Sequence, residues 1–168
     1  MGALGALGDG MKTDQELTGI GGWLLLLGLG IVGSVVKNAY ELYSVYYPLM
    51  ISEKWEQIRA PGSEHYNALL SKFIYIEMFS ISLLIIVNIY VVYLFVMRKK
   101  YFPLMFVALI LLSFAMTVVS VISFSVIMPT GKVFDQETIA SFIGSVFNFI
   151  VWVPYLRWSR RARLTFVN

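Results

Sequence analysis

The chain has 168 residues, 58% of them hydrophobic, 15% aromatic and only 14% charged, with a mean hydropathy of +0.75. A water-soluble domain carries about 25% charged residues, so a soluble enzyme and a DNA-binding domain are both excluded, and no nucleic-acid partner is expected. With no cysteine and one histidine, disulfide scaffolds, iron–sulfur clusters and thiolate or multi-histidine metal sites are excluded as well, and no cofactor is expected.

The chain opens on a tail, residues 1–18, whose Gly/Ala/Leu-rich stretch from Gly2 to Gly10 is expected to be disordered. Asp9, Asp14 and Glu16 stand where a secretory leader would carry basic residues, so no cleaved leader is expected. Position six is Ala6, where a myristoylation signal needs Ser or Thr.

Four apolar stretches then follow, each long enough to cross about 30 Å of hydrocarbon as a helix. The first, residues 19–37, is uncharged from Gly19 to Val36 and meets Lys37-Asn38. The second, 73–97, carries a single charge, Glu77, and stops at Arg98-Lys99-Lys100. The third, 102–128, is free of charge, with Pro103 near its start and Pro129 just beyond it. The fourth, 138–157, is uncharged until Arg157. Bilayer hydrocarbon offers the backbone no hydrogen-bond partner, which leaves helices or a closed barrel. Runs such as Trp23-Leu24-Leu25-Leu26-Leu27 lack the alternation of barrel strands. The fold class predicted is therefore all-α: an integral membrane protein with four transmembrane helices over 19–158.

Lys and Arg accumulate on the cytoplasmic side of membrane proteins. Arg98, Lys99 and Lys100 lie two spans away from Arg157, Arg160, Arg161 and Arg163, so both clusters fall on one side. Both termini are then expected inside, with 159–168 a basic cytoplasmic tail and 38–72 a periplasmic loop. In that loop Tyr40, Tyr43, Tyr46 and Tyr47 precede Pro48, and Ser52 is positioned to cap a short helix running to Ile58. The tyrosines suit the headgroup layer. His65, with no second histidine or cysteine, is expected to be a solvated surface residue.

The polar residues inside the spans are the candidates for function. Glu77, Ser80 and Asn88 share one helix face. A carboxyl group at the centre of a spanning helix costs about 2.5–3.5 kcal/mol, so it normally faces protein or water. Glu77 is thus either a proton- or cation-binding position or an acid one turn inside the interface, wetted by headgroup water. Ser113, Thr117 and Ser120 form a small polar stripe on the third span. Ala140-x-x-x-Gly144 on the fourth and Gly30-x-x-x-Ser34 on the first have the small-residue spacing that lets helices approach closely. These stripes are expected to pack helices within the chain or between copies. Arg157, Arg160, Arg161 and Arg163 suit anionic lipid headgroups at about 1 kcal/mol per basic residue, and Thr165 and Phe166 suit docking on the protein or on a partner. No HExxH or GxSxG motif and no serine–histidine pair within a span argues for catalysis.

Two expectations follow. The first is an inner-membrane protein acting by association in the bilayer, as a homo-oligomer or as a subunit or scaffold of a larger membrane complex. The alternative is an oligomeric small transporter or channel using Glu77 and Asn88.

Two further segments carry a resemblance. Gly21-Gly22-Trp23-Leu24 opens the first span, and Trp152-x-Pro154-Tyr155 is followed by Ser159-Arg160-Arg161-x-Arg163-x-Thr165-Phe166-Val167. Together they resemble the YdgK-like proteins, small four-helix bacterial inner-membrane proteins of unknown function. The resemblance implies that topology and that membrane, and it transfers no activity and no functional residue.

Overall fold

The computed structural model describes residues 19–128 and 136–167. Every regular element among them is a helix: α1 Trp23–Glu41, continued by a π-helical turn Leu42–Tyr46 into α2 Tyr47–Met50, then α3 Glu53–Arg59, α4 Ala68–Val96, α5 Phe102–Ile127, α6 Gln136–Trp158 and α7 Arg160–Thr165. Four segments are long and apolar enough to cross a membrane: Trp23–Met50, Ala68–Val96, Phe102–Ile127 and Ile139–Trp158. Predicted span count and helical class agree with this architecture. The tail over 1–18 and the approach to the fourth span around Pro129 lie outside the described residues.

The first span differs from its predicted extent. Its apolar run ends at Val36, but the helix continues past Lys37-Asn38 to Glu41 and, through the π turn, to Met50, so the expected loop begins only after it. Nothing between Lys37 and Tyr47 breaks a helix, and the polar residues there face a cleft rather than lipid, so a charge does not end the element. At Ser52 the prediction holds: its Oγ accepts from the Trp55 amide and caps α3. Trp55 is buried with its ring edge-on to Tyr75, 5.2 Å between centroids, which pins α3 to α4. Asn67 caps α4 by accepting from the Leu69 and Leu70 amides.

The spanning helices pack in chain order, α1 on α4, α4 on α5 and α5 on α6. Between the outer two, α1 and α6, Trp23 meets Trp152 edge-on at one end, 6.4 Å between centroids. The apolar core lies at that same end. It joins Leu24, Leu27 and Ile31 at the start of α1 to Val91, Leu94 and Phe95 at the end of α4, with Phe102 and Phe106 opening α5.

The C-terminal segment completes this core. Ser159 caps α7 by accepting from the Ala162 amide. Thr165 Oγ1 accepts from the Gly19 amide (3.3 Å) and lies 3.2 Å from the Gly19 carbonyl and 2.8 Å from that of Arg161, to which it donates. Phe166 stacks on Phe102 at 4.4 Å and leans on Phe95 at 5.8 Å. Gly22 has φ +54°, the left-handed region that glycine enters without strain. A side chain on Gly21 would meet the Arg161 guanidinium, whose Nη1 lies 2.8 Å from where a Cβ would stand. The Gly-Gly-Trp opening and the Arg/Thr/Phe ending are thus two halves of one contact.

Candidate functional site

Beyond the core the helices separate around a cleft of about 840 Å³ to which all four spanning segments contribute. Buried Leu27 and Phe106, with Trp152, form its floor, and Tyr40, Ser44 and Ala140 stand at its mouth. Its depth follows from helix rise. Counting from Trp23 on α1 and from Val96 on α4 at about 1.5 Å per residue, Glu41 and Glu77 both sit about 27–29 Å from the core end, near the far edge of the hydrocarbon. Ser34 and Asn88, counted the same way, lie about 12–17 Å in, close to the middle. The cleft therefore runs from one interface to the membrane centre and ends on the apolar core.

The predicted site residues gather here. Glu77, Ser80 and Asn88 line the α4 wall, and Gly30 and Ser34 line the α1 wall. Ser113, Thr117 and Ser120 face them from α5, and Ala140 and Gly144 from α6. At Gly30 and Gly144 a Cβ would meet nothing within 4 Å, so both border open space. A close approach does occur at Gly28, where a Cβ would stand 2.6 Å from Phe95 Cε1. The C-terminal candidates are placed elsewhere. Arg157, Arg160 and Arg163 are exposed at the core end, Arg161 lies over Gly21, and Thr165 and Phe166 are buried.

Glu77 is half-buried, with the Ser120 side chain and the Glu41 carboxylate both within electrostatic reach of it. The Tyr46 ring stands within reach of both acids. Deeper in, Asn88 is buried and bonded at both ends of its amide: its Oδ1 accepts from Ser34 Oγ at 3.0 Å, and its Nδ2 donates to the Leu84 carbonyl at 3.1 Å. That pair ties α1 to α4 at the bottom of the polar zone.

Sequence reasoning did not assign the upper half of the α1 wall. Lys37, Asn38, Glu41 and Ser44 line the cleft, and their spacing of one, four and seven residues continues the face begun by Gly30 and Ser34. That periodicity was the available signal, hidden by treating Lys37 as the end of the span. Ser145 and Asn148 extend the α6 wall.

Fold and site together define a four-helix membrane-spanning protein with a polar cleft sealed at one end. The chain belongs to the family described as Protein of unknown function (DUF2569), whose model matches residues 17–167. No curated protein and no solved structure matches it.

Proposed function

We propose that the protein binds a small polar solute in the cleft between its four helices and passes it across the membrane. One observation supports this above the others: polar side chains from every spanning helix converge on a single open volume, from Glu77 at the interface to Asn88 at mid-depth. Gly30 and Gly144 both border open space within this chain, so their small size leaves room in the cleft and does not serve to pack these four helices together. Because the cleft stops at the apolar core, a carrier that alternates between two closures fits better than a permanently open pore. With the YdgK-like resemblance and the charge pattern, we place it in a bacterial inner membrane with the arginine-rich end inside, so the cleft opens outward.

The test is solute-driven swelling of proteoliposomes containing the purified full chain, with cationic, neutral and anionic small solutes. At least one charge class should enter faster than into protein-free vesicles, and Gly144→Leu, which fills the cleft from an open position, should abolish the difference. Rates equal to those of empty vesicles for every class would dispose of the carrier.

A further inference from the structure

Resting on the reading of the cleft as a solute path, we infer that its ligand is a protonated primary amine, held by its charge and by its N–H donors. The hydrogen-bonding state of the walls argues this first. A hydroxyl has one proton to donate and two lone pairs to accept with. Ser44, Thr117 and Ser145 have each committed that proton to a carbonyl of their own helix, at 2.7, 3.0 and 2.9 Å. Asn148 likewise directs its Nδ2 to the Gly144 carbonyl at 2.9 Å, leaving its oxygen as the acceptor. All four line the cleft. Helical serines and threonines in apolar surroundings bond this way by habit, but at these four positions the consequence is collective: the bonded donors point inward and acceptors are left toward the cleft.

Charge points the same way. When ionised, Glu41 and Glu77 are acceptor-only groups on facing walls of the mouth, and Lys37 also lines it. An anionic solute would meet two carboxylates and the lone pairs of Ser44, Thr117, Ser145 and Asn148; an ammonium group would satisfy both. The ligand fits an organic cation better than a chelated metal ion. Among the described residues no group of three or more His, Cys, Asp or Glu side chains stands ready to hold a metal, and 840 Å³ ending on Trp152 and Phe106 leaves room for a carbon skeleton. A primary ammonium reaches such a site either as a free amine or as the headgroup of an aminolipid. The packing order allows for the second route, since α1 and α6 are the outer two helices and not an extensively packed pair.

The experiment uses the purified full chain in nanodiscs and four soluble probes of similar size: ethanolamine, choline, ethylene glycol and glycolate. Choline keeps the charge and loses every N–H; glycol loses the charge; glycolate reverses it. In phosphatidylcholine discs, ethanolamine should bind at least tenfold more tightly than choline, with glycol and glycolate weaker still. Glu77→Gln should weaken ethanolamine at least tenfold, and Gly144→Leu, chosen because its site is open and folding is spared, should abolish it. Phosphatidylethanolamine discs distinguish the source: if they raise thermal stability in a Glu77-dependent way while soluble ethanolamine does not bind, the amine is a lipid headgroup. The proposal is overturned if choline or glycolate matches ethanolamine, if both variants leave binding unchanged, or if neither form of amine binds. Amine binding without flux would remove the carrier and leave the ligand class standing. Flux of glycol or glycolate alone would do the reverse.

Discussion

Gly28 and Gly30 lie two residues apart on α1 and meet opposite surroundings. A methyl group at Gly28 would stand 2.6 Å from Phe95, whose ring is itself held against Phe102 and Phe166. A methyl at Gly30 would meet nothing within 4 Å. Overpacking a filled core costs about 1–3 kcal/mol, while a substitution that touches nothing stays within about 0.5 kcal/mol. Gly28→Ala should therefore destabilise the protein by about 1–3 kcal/mol in a detergent-unfolding titration, and Gly30→Ala should be neutral or slightly stabilising. Equal losses at both positions would mean that Gly30 touches another helix. The Ser34–Asn88 bond is a smaller matter: polar contacts between spanning helices average about 0.6 kcal/mol, so Ser34→Ala should cost about that much and leave the bundle intact.

At the scale of elements, much was legible because lipid imposes simple requirements. Length and apolar content mark four helices, and the helical repeat alone places Glu77, Ser80 and Asn88 on one face. The same repeat exposes the stripes on α5 and α6, but periodicity says only that residues share a face, not what the face looks at. A stripe of small polar residues reads identically whether it meets a backbone or a cleft. Lys37 illustrates a second limit, since a charge ends a lipid-facing helix but not one whose polar face is wetted. The third limit is distance along the chain: Thr165 and Gly19 hydrogen-bond across 146 residues, and no local pattern encodes that pairing. The tail is therefore where the structure adds most. Phe166 fills the core beside Phe102 and Phe95, and truncating a buried aromatic costs about 3–5 kcal/mol. Phe166→Ala should be strongly destabilising by the same titration and Phe166→Leu much less so. Deletion of the last residues with no loss of stability would remove the tail from the core.

For the whole molecule, the decisive feature is that apolar packing and polar cleft divide the bundle's length between them. Leu24 to Ile31, Val91 to Phe95 and Phe102 to Ile110 supply most of the buried core at the arginine-rich end, while the hydroxyls, amides and carboxylates face open space beyond it. On the proposed reading water and solute enter from one side only, and the contact of Gly19–Gly22 with Arg161–Phe166 reinforces the apolar core that seals the other. Because the chain contains no cysteine, single introduced thiols report access without background. Ser80→Cys and Ser113→Cys, on facing walls of the cleft, should react with a membrane-impermeant thiol reagent added on the side of the α3 helix. From the arginine-rich side they should be protected. Thr165→Val, which removes the hydroxyl bonds to Gly19 while keeping volume, loosens the seal and should raise labelling from the arginine-rich side several-fold with the other side unchanged. Equal labelling from both sides in the parent chain would mean a continuous pore, and no response to Thr165→Val would mean that the seal lies in the helices rather than in the joined ends.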